Sequence, residues 1–290
     1  MENKNKLEVI TERAETKEPI FNFLEIAGLK EGMVNLVRKL QTNIDNGKYD
    51  ALVSDEVGGR IPTLILREII KARRPEAKID TYFIASGKTY FPQRGSEDYN
   101  KLIKYIRDII EGDNNVLLVT QYVHSGKTLA KLAGALQEAG ASHIDAAVLN
   151  SLKEESELQK HTLCAENVFV GTRDSSTYEF DEHTSWFTGV AKTKDYSPKL
   201  KLLQEVIAQE GRGRFISQQE WMEIFDIKKG ERYQDFKTRL EDPEKNEKWD
   251  ARARESLSEA ELKELRETIQ KAREDVKTLA TGVLETVWSK

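Results

Sequence analysis

The chain has 290 residues and a mass of 33.2 kDa, with 38% hydrophobic and 33% charged residues, enough to bury a full core beneath a heavily solvated surface. Forty-five Lys and Arg against 50 Asp and Glu leave a formal net charge of -5, which argues against a broad nucleic-acid footprint, and the single cysteine, Cys164, excludes an intrachain disulfide and any CxxC pair. The charged opening MENKNKLEVITERAETKEP lacks the apolar core of a signal peptide and no apolar run reaches membrane-spanning length, so a soluble cytoplasmic protein without a membrane partner is expected.

In chain order, MVNLVRKLQTNI after Gly32 has helical apolar spacing, and NGKYD breaks it before the strand-like ALVS. DEVGGRIPTLILREIIKARRP follows, with a turn at Gly58 and Gly59 and with Pro62 suited to a first helical turn. IDTYFIA from Ile79 predicts a second strand, SGKTYFPQRGSEDY a loop or hairpin, and DYNKLIKYIRDIIEG a helix. VLLV from Val116, HIDAAVLN from His143 and NVFVGT from Asn167 supply three more strands, with a helix opening at SGKT between the first two. Strands alternating with helices predict an α/β fold around a mostly parallel central sheet.

Beyond Pro198 no strand signal survives. KLLQEVIAQEGRGRF reads as helical to Gly211, and WMEIFDIKKGERYQDFKTRL as short helices. Ser258 and Glu261 form a capping box that opens a stripe of Leu262, Leu265, Ile269, Ala272, Val276, Leu279 and Val283. The stripe predicts a helix packing back on its own domain; a homodimeric coiled coil is the alternative. The chain thus divides into a charged segment 1–31, an α/β domain 32–198 and an α-helical C-terminal extension 199–290.

VLLVTQYVHSGKTLAKLAGAL carries the chemistry. An NTPase phosphate loop needs GxxxxGK[ST], so that an early glycine lets the backbone wrap the phosphates. Gly126, Lys127 and Thr128 fit, but the first glycine falls on Gln121 and bulky Tyr122, Val123 and His124 intervene. A turn at a helix start does present N–H groups and a positive dipole end to an anion, and the hydroxyls of Ser125 and Thr128 add donors. The same hydroxyls also serve as plain helix caps.

The stretch resembles more closely the phosphate loop of the type I phosphoribosyltransferases, in which an apolar strand, two acidic residues and a short variable step precede [ST]GxT. ALVSDEVGGRIPTLILREI is similar to that family's first strand and pyrophosphate loop. The resemblance covers roughly residues 32 to 196. It implies a Rossmann-like α/β fold, a ribose 5′-phosphate ligand held by Ser125, Gly126, Lys127 and Thr128, and a pyrophosphate loop of Val57, Gly58, Gly59 and Arg60. Ribose hydroxyls would meet Thr120 and Gln121, which stand where the family has its acids and bring no charge. The resemblance also implies aromatic stacking of a base after the last strand, where Tyr178, Phe180, Trp186 and Phe187 occur, with Tyr178 and Trp186 as candidates.

Asp55 and Glu56 precede the glycines as turn residues or as carriers of Mg²⁺, and Arg60 as an anion clamp or a local ion-pair partner. His124 lies in the loop beside the expected phosphate, whereas the four histidines show no paired metal spacing. Three functions follow: phosphoribosyl transfer between pyrophosphate and a nitrogenous base, sensing of a nucleotide or phosphoribosyl pyrophosphate by a weakened member of the fold, and NTP hydrolysis dependent on Lys127.

Overall fold

A computed structural model of the chain describes residues 19–55, 59–84, 91–110, 115–173, 226, 243–244 and 259–289. Five strands form one parallel sheet: β1 (Ala51–Asp55), β2 (Asp80–Ile84), β3 (Asn115–Val123), β4 (His143–Ser151) and β5 (Asn167–Arg173), in the order β2-β1-β3-β4-β5. The helices whose bounds lie among the described residues are α1 (Leu24–Ala27), α2 (Lys30–Asp45), α3 (Arg60–Arg73), α4 (Glu97–Ile109), α5 (Lys127–Ala139), α6 (Glu155–His161) and α7 (Glu259–Trp288). The expected α/β architecture with a C-terminal helix is the one observed.

Both faces of the sheet are covered, which is why its strands read as continuous apolar runs rather than as alternating ones. Leu52, Leu117, Val119, Ala147 and Leu149 pack with α2, α3 and α7, while Val53, Leu118, Ala146, Val148 and Val170 pack with α4, α5 and α6. Ser96 caps α4 by accepting the N–H of Tyr99 at 3.1 Å, with Glu97 and Asp98 in the first turn complementing the dipole. Gly171 serves close approach: a Cβ there would come within 2.4 Å of the Gly32 carbonyl at the start of α2 and 2.7 Å of the Leu149 carbonyl.

The stripe on α7 is partly placed. Ala272, Val276, Leu279 and Val283 are buried in the core shared with α2 and α3, so the helix packs on its own fold and this stretch of the stripe is covered. Each buried Val or Leu contributes about 1.5–3 kcal/mol. At the far end Trp288 donates its indole N–H to Asp45 at 3.1 Å and lies 5.0 Å from the Arg73 guanidinium, which itself pairs with Asp45 at 3.0 Å. Ser258, the helices expected over 199–240 apart from the single residue Asp226, and the aromatics Tyr178, Phe180, Trp186 and Phe187 lie outside the described residues. No helix among the described residues is long and apolar enough to cross a membrane.

Two elements differ from the sequence reading. β3 runs to Val123 rather than ending near Thr120, because pairing with β4 continues through Tyr122 opposite Asn150 and Val123 opposite Ser151. The seven-residue α6 escaped notice because Leu158 is its single buried residue, leaving no apolar period to detect.

Candidate functional site

In this strand order the chain leaves β1 by α3 toward β2 and returns by α4 to β3 on the other side of β1. The order reverses there, and in sheets of this kind ligands usually bind at the C-terminal ends of the two strands on either side of such a switch point, here β1 and β3. Gly59, which precedes α3 after β1, and the SGKT turn after β3, read separately from the sequence, both follow these strand ends. Pairing of β1 with β3 reaches Ser54 opposite Val119, whereas β3 continues four residues further, so Thr120 to Val123 extend past the end of that pairing.

On the β1 side, Asp55 ends the strand, and Gly59 is the buried residue preceding α3. Thr63 donates both its hydroxyl (2.6 Å) and its N–H (3.0 Å) to the Gly59 carbonyl, which fixes where the loop enters the helix. Arg60 is 4% exposed, with its guanidinium 5.6 Å from the Phe83 ring centroid on β2. Its stem is held inside the fold, a different setting from a clamp on an open rim. Glu56, Val57, Gly58 and the Asp55 side chain lie outside the described residues.

On the β3 side, Thr120 and Gln121 are 6% and 7% exposed, adjacent and uncharged. Only His124, Ser125 and Gly126 separate β3 from α5. Gly126 takes φ 78°, the left-handed region that costs an ordinary L-residue about 1–2 kcal/mol, while a Cβ would meet nothing closer than Leu158 Cδ2 at 3.5 Å. Backbone angle, not space, therefore selects glycine. Its carbonyl accepts the Ala130 N–H at 2.9 Å and opens the helix, so the N–H groups of the first turn point out of its end as in any α-helix. Ser125 and Lys127 are exposed and Thr128 half-buried, and the Lys127 N–H reaches Ser125 Oγ only at 3.5 Å.

Residues overlooked in the sequence hold this turn. Ser151, fully buried at the end of β4, donates from Oγ to the Val123 carbonyl at 3.2 Å and accepts the Lys153 N–H at 2.9 Å, tying the last residue of β3 to its neighbour strand. A serine in an apolar run gives no sequence signal of such a bond. Phe91 and Arg94, from the segment expected as a loop, fasten to α5: the Lys131 ammonium lies 5.7 Å from the Phe91 ring, and Arg94 pairs with Glu138 at 3.0 Å. Tyr99 donates to Glu138 at 3.1 Å; burial, then that carboxylate, raises its pKa. Among the described residues no group of three or more His, Cys, Asp or Glu is placed to hold a metal ion.

The chain is 27% identical over 159 residues to a protein named "HGPRTase-like protein" from Natronomonas pharaonis, an alignment covering 53% of this chain and 79% of that relative. No protein-family profile matches the chain. No solved structure matches it. The distant relative suggests a phosphoribosyltransferase-like family.

Proposed function

We propose that the chain binds a ribose 5′-phosphate ligand, phosphoribosyl pyrophosphate or a nucleotide, in the crevice between β1 and β3. The observation carrying this reading is the glycine-preceded N-terminus of α5, with Gly126 left-handed, set at the switch point of the sheet beside the glycine turn that opens α3. Ser125, Gly126, Lys127 and Thr128 receive the phosphate, and the ribose lies toward Thr120 and Gln121. Val57, Gly58, Gly59 and Arg60 form the pyrophosphate side, and Tyr178 and Trp186 are candidates for stacking on a base. Mg²⁺, which keeps most of its waters and takes one or two carboxylates, would be held by Asp55 and Glu56 and neutralise pyrophosphate charge.

As an enzyme the protein breaks the C1′–O bond to pyrophosphate, forms a C1′–N bond to a nitrogenous base, and releases the proton of that nitrogen. A second reading, a sensor that binds without turnover, is favoured by one feature: Thr120 and Gln121 are buried and neutral, and neutral hydrogen bonds hold a developing cation about half as well as charged ones. NTP hydrolysis has less support, since the position a wrapped loop needs as glycine is Gln121, within β3. The proposed division into 1–31, 32–198 and 199–290 places the crevice within the middle segment.

Calorimetry with phosphoribosyl pyrophosphate and nucleoside monophosphates, with and without Mg²⁺, tests the reading. Binding that Gly126→Asp abolishes while the melting temperature stays within a few degrees is the expected result. Absence of binding by every one of these ligands would overturn it.

A further inference from the structure

The turn that opens α5 is bordered on one side by α6. A Cβ built on Gly126 would point at that helix, 3.5 Å from Leu158 Cδ2 and 3.7 Å from His161 Cβ. Residues 158 and 161 are three apart and so share a helix face. Leu158 is fully buried and anchors that face, whereas His161, the last residue of α6, is exposed beside the turn. The chain after it continues along α5, since a Cβ on Gly134 would stand 4.0 Å from Cys164 Sγ.

The ion pairs of this segment leave His161 out. Glu154 pairs with Arg173, Glu155 with Lys39, and Glu157, one turn before His161, with Lys153. The bond to Lys153 is the main cause that holds the Glu157 carboxyl below its ordinary value, and the charges of His161 and Lys160 add less. No hydrogen bond to another described residue engages the His161 imidazole, and the Lys127 ammonium on the α5 side of the turn is likewise without an ion-pair partner among the described residues. The C-terminal end of a helix carries partial negative charge, which would repel an anion seated at the turn. A cationic side chain in the last turn of α6 offsets that repulsion, and an imidazole with unclaimed ring nitrogens also brings a donor.

Resting on the reading of the α5 turn as a phosphate site, we propose that His161 is a further phosphate-binding residue, whose imidazole donates to the 5′-phosphate from the α6 side. Helix α5 supplies the backbone N–H groups of its first turn and the charge of Lys127. His161 supplies a side-chain donor from a different element, with a charge-assisted bond when the ring is protonated. The sequence hides this residue, because it lies 35 positions beyond Gly126 in a helix with one buried side chain.

Calorimetry on the full chain with ribose 5-phosphate, at neutral pH and constant ionic strength, tests the assignment. His161→Ala should weaken binding about fivefold or more, while His161→Arg, which restores a cationic donor, should stay within about twofold of wild type. Lys160→Ala, a loss of positive charge one residue earlier, should also stay within about twofold. Both positions are exposed, so these changes spare the fold. The chain has four histidines, and their imidazole NMR signals are assignable by substitution. Ribose 5-phosphate should move the His161 signals and leave in place those of His143, which pairs with Glu166 at the opposite end of β4. Binding that Gly126→Asp abolishes but His161→Ala leaves unchanged, with the His161 signals unmoved, would overturn the role of His161 and leave the phosphate turn standing. Equal losses in His161→Ala and Lys160→Ala would reduce the effect to general charge and overturn it as well. Absence of ribose 5-phosphate binding by wild type would overturn the reading of the turn itself, and the role of His161 with it.

Discussion

Lys39 and Glu155 meet at 2.6 Å beside the outer edge of β5, and each also binds the backbone of Val170 there. Lys39 donates to the Val170 carbonyl and Glu155 accepts the Val170 N–H, both at 2.7 Å. Two side chains from α2 and α6 thus do at one residue what a sixth strand would do. An edge strand left open is a template for pairing with another chain, and charged cover is one way of blunting it.

Glu155→Ala should therefore lower stability by about 1 kcal/mol, a modest value because both side chains are well exposed. It should also raise the tendency to aggregate at high concentration. Urea unfolding and light scattering measure the two effects; a variant indistinguishable from wild type in both would show that Val170 is satisfied equally well by water.

Asp275→Ala should cost more, roughly 2–4 kcal/mol. This carboxylate is 1% exposed and accepts from the Asn22 N–H (3.0 Å), the Asn22 side-chain amide (2.9 Å) and the Phe23 N–H (2.7 Å). Removing it strands those donors just ahead of α1. Chemical denaturation should show the loss, and a drop below about 0.5 kcal/mol would mean that the three bonds do not hold this segment.

Thr120→Glu combined with Gln121→Asp should tighten Mg²⁺-dependent binding of phosphoribosyl pyrophosphate at least tenfold. Without metal, two carboxylates buried together repel and resist ionisation, so the doubly substituted chain should melt lower than wild type. Adding Mg²⁺ should restore part of that loss in the variant and change wild type less. Equal Mg²⁺ responses in the two proteins would argue against placing Thr120 and Gln121 beside the ribose of a Mg²⁺-bound phosphoribosyl pyrophosphate.

Tyr49 supplies a pH prediction. Burial, then the charge of Asp145 and the 2.8 Å bond that Tyr49 donates to it, push the phenol well above its ordinary value near 10. The folded state keeps this proton longer than the unfolded chain, so the contribution is complete below about pH 10 and is lost as pH rises toward the folded pKa. Tyr49→Phe should cost about 1 kcal/mol at pH 7 and flatten the decline in stability above pH 10. An alkaline slope identical in the variant would assign that decline to other groups.

How much of this could be read in advance varies with the kind of interaction. Leu117 and Val119, and the helical spacing of Leu129, Leu132 and Leu136, announce a buried strand and the helix after it because periodicity is local. Gly126 was legible for the same reason, since a glycine between a strand and a helix has few uses. The upper end of β3 was not, because Thr120, Gln121 and Tyr122 carry polar groups and the residues that face them on β4, Val148 opposite Thr120 and Asn150 opposite Tyr122, are distant in sequence. Beyond reach altogether were contacts between distant segments: nothing near Asn22 hints at Asp275, and nothing near Lys39 shows that it will meet Glu155.

The bond between Asn22 and Asp275 closes the chain upon itself across 253 residues without a covalent link. From the middle of α7, where Asp275 sits, to its end, where Trp288 reaches Asp45, the last residue of α2, the helix holds two separate points of the fold. Helix α7 therefore works as a brace that holds the chain just ahead of α1 and the last residue of α2, and α2 in turn meets β5 through Gly32 and Gly171. Whatever pulls α7 away takes with it the support of α2 and, through α2, of the sheet's β5 edge, so a helix late in the sequence governs the order of elements that precede it by more than two hundred residues.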